Sequence, residues 1–120
     1  FGDENDPDNE NNIETIPINL KTVAAGETIC LGEYTLSEGD KIYYDIFAET
    51  GNGMNVFFTK DGQKDISYWS VYNLRQQDEP LKCTTDIIVE PTRGGTYQLF
   101  LKATDSILEN IKGTIIFQLQ

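Results

Sequence analysis

Apolar residues recur at every second position along most of this chain, and that period decides its fold class. In residues 94–119, Tyr97, Leu99, Leu101 and Ala103 recur at every second position, and after a polar connection so do Ile115, Phe117 and Leu119. A period of two puts alternate side chains on opposite faces of an extended backbone, whereas a helix needs a period near 3.6. Each run therefore reads as a strand with one face buried and one wet. Two such runs in succession predict an antiparallel pair that closes a sandwich.

The rest of the chain supplies more strands of the same kind. Ile16, Ile18 and Leu20 share a parity within 16–25, and Pro17 among them marks an edge strand, because proline cannot donate to a central ladder. Residues 27–36 form a second strand, with Gly32 as a bulge or bend. Residues 41–49 alternate Ile42, Tyr44, Ile46 and Ala48 with Tyr43, Asp45, Phe47 and Glu49. Gly51-Asn52-Gly53 then leads to Met54, Val56 and Phe58, which predicts a hairpin. Residues 64–74 are polar and aromatic without a clear period, 75–80 read as loop, and a strand is expected from Cys83 to Glu90. Residues 105–112 could make one helical turn capped by Ser106. The sum is about eight short strands with regular turn signals, the pattern of an all-β antiparallel sandwich or jelly roll.

Charge divides the chain in two. Twenty acidic against nine basic residues give a net charge of −11, and six of the acids fall within the first fourteen positions, where no base occurs. Residues 1–13 are expected to be an acidic, solvated tether, and 14–120 a single sandwich domain. The carboxylates and amides of the tether could offer oxygens to Ca²⁺, but the glycine and acid spacing of an EF-hand loop is absent. Scattered single lysines and arginines oppose nucleic-acid binding, and no apolar run is long enough for a membrane span. The sequence opens with no initiator Met, basic region or apolar segment, so any signal peptide is expected to have been removed or to lie outside this stretch.

The order of the turn and pleat motifs is similar to that of known sandwiches. Ala25-Gly26-Glu27-Thr28, the run from Leu36 through Gly39-Asp40 to Ile46, Gly95-Thr96-Tyr97-Gln98-Leu99 and Ile111-Lys112-Gly113-Thr114-Ile115 together resemble the Golgi-dynamics (GOLD) β-sandwich. They also resemble bacterial pre-peptidase carboxy-terminal domains. The resemblance implies an extracytoplasmic interaction or accessory module, and it carries no catalytic residue over.

The side-chain chemistry points the same way. The sequence has no histidine, which removes Ser-His and Cys-His nucleophile pairs and histidine-bearing metal sites. Asp45 and Glu49 share the outer parity of one strand and could form a glycosidase pair only in a deep cleft, so they read as a solvated face. No metal site and no cofactor are expected. Cys30 and Cys83 are the only thiols and read as a disulfide between strands or as two buried, independent thiols; an even count in a secreted setting favours the bridge, which would close a loop of about fifty residues and contribute about 4 kcal/mol in the chain-entropy model.

The candidate binding residues are Tyr68, Trp69, Tyr72 and Arg75, where rings alternate with hydrogen-bonding groups. Extended backbone would put Tyr68 and Trp69 on opposite faces, one of them in the core. The reading is a non-catalytic module, secreted or surface-anchored, that binds another protein. The alternative is a carbohydrate-binding accessory domain that holds a cell-surface glycan on the aromatic patch around Trp69.

Overall fold

The computed structural model describes residues 13–119, so all of the expected tether at 1–13 except Ile13, where the first strand begins, lies outside the described residues. Eight strands follow in order: β1 (Ile13–Val23), β2 (Thr28–Leu36), β3 (Lys41–Thr50), β4 (Gly53–Lys60), β5 (Gln63–Leu74), β6 (Leu81–Ile88), β7 (Gly95–Ala103) and β8 (Leu108–Gln118). They build two four-stranded antiparallel sheets, ordered β1-β8-β3-β6 and β2-β7-β4-β5. This is the strand order of a jelly roll, in which the chain steps between the sheets at almost every turn.

That stepping corrects two expectations. The runs at 95–103 and 108–118 are not partners: β7 lies between β2 and β4, and β8 between β1 and β3 in the other sheet. Nor do residues 41–60 form a hairpin, because both edges of β3 are occupied, by β8 and β6, and β4 has no place beside it. The Gly51–Gly53 connection carries the chain across the sandwich instead. Gly51 has a φ of 137°, and a Cβ there would meet a Leu108 methyl at 2.4 Å, so glycine is needed for both backbone and space. Only β4 and β5 are neighbours both in sequence and in a sheet. The helical turn at 105–112 is also absent. Ser106 accepts a hydrogen bond from the Asn52 amide at 3.0 Å, and β8 begins at Leu108.

The inner faces follow the period of two. Ile42, Tyr44, Ile46 and Ala48 of β3 are fully buried, as are Met54, Val56 and Phe58 of β4 and Tyr97, Leu99 and Leu101 of β7. Rings bridge the two sheets, with Tyr34 of β2 tilted against Phe117 of β8 at 4.5 Å. At the centre of its sheet, Gly113 of β8 faces Ile18 and Ile46 on its two neighbours. A Cβ at that position would lie 2.1 Å from the Asp45 carbonyl oxygen, so no other residue fits.

Each outer edge carries a device that interrupts pairing. Pro17 sits mid-way along β1, β2 shifts register between Cys30 and Gly32, and β5 shifts twice against β4. On β6 the Lys82 carbonyl accepts the Asn73 side-chain amide, which occupies part of that edge. Such proline, bulge and side-chain blocks are how natural sheets avoid adding foreign strands.

Candidate functional site

The second half of β5 shows how sequence and backbone position the four candidate residues. From the pair Val56 and Val71 to the pair Phe58 and Tyr68, two steps along β4 are answered by three along β5. The extra residue makes a bulge, and Trp69 lies in it with a φ of 50°. A bulky aromatic residue is strained in that region. The bulge also breaks the alternation of faces, so Tyr68 and Trp69 do not diverge as an extended strand would require. Both rings turn onto Tyr97, at 5.7 and 4.9 Å, and Trp69 meets Phe58 edge-on at 5.5 Å.

Tyr68 and Trp69 are half-buried, and their outer rims line a shallow groove with Ile66, Ser67, Glu90 and Arg93. The Arg93 guanidinium stands 6.0 Å over the Tyr68 ring, and the Arg93 carbonyl accepts the Tyr97 hydroxyl. Burial pushes the Tyr97 phenol above its ordinary value, aided by Tyr68 and Asp61 and opposed by Arg93. Tyr72 is elsewhere, half-exposed on the outer face of the β2-β7-β4-β5 sheet across from Asn55.

Arg75 is occupied by the fold. Its guanidinium donates to the carbonyls of Gly51, Ala48, Glu49 and Glu79, which ties the β5–β6 loop to the end of β3. The four candidates thus do not share one surface. Tyr68 and Trp69 come together, while Tyr72 and Arg75 stand apart from them. The loop held by Arg75 borders an open concavity of about 600 Å³, with Phe47, Glu49, Asn52, Gln76 and Asp78 among its walls.

The thiols are separate. Cys30 is exposed on β2 and Cys83 is buried on β6, the outer strands of different sheets, and both are free. Cys83 lies against the Met54 and Val71 carbonyls at 3.5 and 3.7 Å, on the side where β6 meets β4 and β5, whereas β2 lies at the far side beyond β7. The expected bridge is therefore not formed within the chain. Burial pushes the Cys83 thiol from 9.0 up to about 12, with the Asn73 backbone opposing. It is not a nucleophile at neutral pH.

Asp45 and Glu49 do not share a cleft: Glu49 borders the open concavity and Asp45 does not. Asp45 lies 3.7 Å from the Lys82 ammonium and accepts from the Thr84 hydroxyl, and Glu49 accepts from the Asn110 amide at 2.7 Å. Among the described residues no group of three or more Cys, Asp or Glu side chains is placed to hold a metal ion.

The outer face of the β2-β7-β4-β5 sheet carries a pair of rings that the period of two does not single out. Phe57 of β4 and Phe100 of β7 are directly opposite each other on the outer face, stacked with centroids 5.6 Å apart, and Cys30 follows on the far side of Phe100. Their signal is an aromatic residue on the parity that should be wet: Phe57 alternates against buried Val56 and Phe58, and Phe100 against buried Leu99 and Leu101.

No protein-family model matches the chain, and no curated protein matches it in sequence. Solved structures do match in fold. A Bacillus endospore appendage protein, from a family described as disulfide-linked pili, aligns at 11% identity and a TM-score of 0.60, over 89% of this chain and 86% of that one. The infectious bursal disease virus VP2 subviral particle aligns at 9% identity and a TM-score of 0.61, over 90% of this chain and only 32% of the viral one. PliG from Aeromonas hydrophila, a periplasmic inhibitor of g-type lysozyme, aligns at 10% identity and a TM-score of 0.52, over 91% and 87%. A pre-peptidase carboxy-terminal domain of a Bacillus anthracis collagenase is matched at a TM-score of 0.42, too low to carry an argument. At such identities the shared property is the β-sandwich fold. Among the described residues no helix is long and apolar enough to cross a membrane.

Proposed function

We propose that this chain is a non-catalytic interaction module that works outside the cytoplasm and contacts another protein through the outer face of the β2-β7-β4-β5 sheet. The observation that carries this reading is the stacked Phe57–Phe100 pair on that face, in a row with exposed Cys30 and two residues along β4 from Asn55, the partner of Tyr72. Outer-face aromatics contribute nothing to the sandwich core, and aromatic residues concentrate at protein contacts. The interruptions in all four edges favour a face over an added strand. The fold-level neighbours support the same reading, since pili and a viral particle are protein assemblies and the lysozyme inhibitor acts on a protein.

The test is a photocrosslinking amino acid placed at 57 or 100 in the producing cell, with position 45 on the opposite outer face as control. The expected result is a discrete protein adduct from 57 and 100 and none from 45. Equal adducts from both faces, or none from either, would remove the reading.

The glycan alternative keeps one specific support, the strained Trp69 bulge that turns two rings toward the groove of Glu90 and Arg93. Glycan-array binding that disappears in Trp69→Ala would establish it in place of the protein reading.

A further inference from the structure

Beside the Phe57–Phe100 pair lies a small notch of about 190 Å³, walled by the two rings, Thr28 and Lys64, with Thr59 at its base. Thr59 occupies the outer parity of β4 between Phe58 and Lys60, yet it is 1% exposed. Its Oγ1 is buried and has no hydrogen-bond partner among the described residues. A buried hydroxyl left unpaired is costly, and native structures rarely keep one without a reason.

The local irregularity of β5 creates the notch. Between the pairs Phe58 with Tyr68 and Lys60 with Gln63, β5 carries four residues where β4 carries only Thr59. The surplus, Lys64 to Ser67, leaves the ladder, and the exposed Lys64 side chain lines the opening. The notch therefore combines flat aromatic walls, a base with an unused hydroxyl, and a flexible cationic side chain at its rim.

We infer that this notch takes a single phenolic ring, the side chain of a tyrosine presented by the protein partner. The inference rests on the interaction face proposed above and names the anchor that face receives. The ring lies against Phe57 and Phe100, and its hydroxyl pairs with Thr59 Oγ1 once the Lys64 stem swings aside. A volume of about 190 Å³ admits one such ring and not a second sugar or a peptide turn. A phenol is preferred to a plain ring because a site with a buried hydrogen-bonding group discriminates against the analogue that lacks the matching hydroxyl. Aromatic anchors in pockets of this kind are the usual centres of protein interfaces.

The test uses the whole chain, labelled for amide NMR, and three probes: N-acetyl-tyrosinamide, N-acetyl-phenylalaninamide and methyl glucoside. The tyrosine probe should shift the amides of Phe57, Thr59, Lys64 and Phe100 with an affinity on the order of millimolar, as a ligand of this size permits. The phenylalanine probe should bind at least about fivefold more weakly. Thr59→Val, which keeps the shape and removes the hydroxyl, should abolish that preference while leaving the protein folded, since it deletes an unpaired group. Lys64→Ala should keep the preference. Equal affinity for the two amino-acid probes overturns the inference, and so does binding of the glucoside alone or an absence of shifts at these four residues. A crosslink from position 57 with no phenol preference removes the notch and keeps the face. A phenol preference without any crosslink keeps the notch and removes the protein partner from the proposed function.

Discussion

At a φ of 50°, Trp69 holds a conformation that costs a bulky residue on the order of 1–3 kcal/mol, and the ring contacts with Phe58 and Tyr97 offset it. Two effects then compete when the side chain is removed. Truncation loses half-buried aromatic packing, less than the 3–5 kcal/mol of a fully buried ring, so Trp69→Ala should destabilise by about 2 kcal/mol. Glycine normally weakens a strand more than alanine, but it holds a positive φ without penalty. Trp69→Gly should therefore be at least as stable as Trp69→Ala in denaturant titrations, and the ordinary order, with glycine clearly worse, would show that the bulge is not strained. The thiols give a second residue-scale prediction. Cys30 should react with a thiol reagent within minutes in the native protein at pH 8 and Cys83 only after unfolding, giving two thiols per denatured, unreduced chain; none would restore the bridge. An even cysteine count is a statement about composition, and it holds no information on which edge of which sheet each residue occupies. The Trp69 turn was equally hidden, because a one-residue insertion is visible only against the register of its partner strand.

The elements show what a period of two can and cannot report. It identifies which face of a strand is wet, and so the buried set of β3, β4 and β7 was legible from the sequence. The Gly32 bulge and the edge position of β1 were legible too, each from a single residue whose backbone chemistry limits where it can sit. Pairing was not legible. A short glycine-bearing connection serves a hairpin and a crossing between sheets equally well, and the choice depends on whether the preceding strand still has a free edge. The same blindness applies to β8, where the period does not tell that Gly113 is pressed between two neighbouring strands. Its place is set by the Asp45 carbonyl, 2.1 Å from where a Cβ would be. Gly113→Ala must push apart two central strands, and the expected loss is about 3 kcal/mol or more, with hydrogen exchange accelerating in both β3 and β8. Ordinary stability in that variant would mean that the two strands are not held so close.

Across the whole molecule the acidic charge and the buried protonated groups set how stability responds to its surroundings. A net charge of −11 makes the compact state repel itself, so added salt should raise the melting temperature by screening. The pH response follows from groups whose burial favours the neutral form. Cys83 ionises at 9.0 unperturbed but holds its proton to about 12 in the fold, and burial also raises the phenols of Tyr44, Tyr97 and Tyr34 above 10.0. Below pH 9 these groups are protonated whether the chain is folded or not, and their full contribution is present. Above it the unfolded chain releases protons that the folded chain retains, so stability falls as pH rises. The decline should begin near pH 9 with the thiol and steepen above 10 as the tyrosines join. Cys83→Ala should flatten the first part of the curve and leave the second. Urea titrations at half-unit steps from pH 7 to 11 measure both parts, and a curve that is flat to pH 10.5 in the parent chain would show that Cys83 is not held neutral between the sheets.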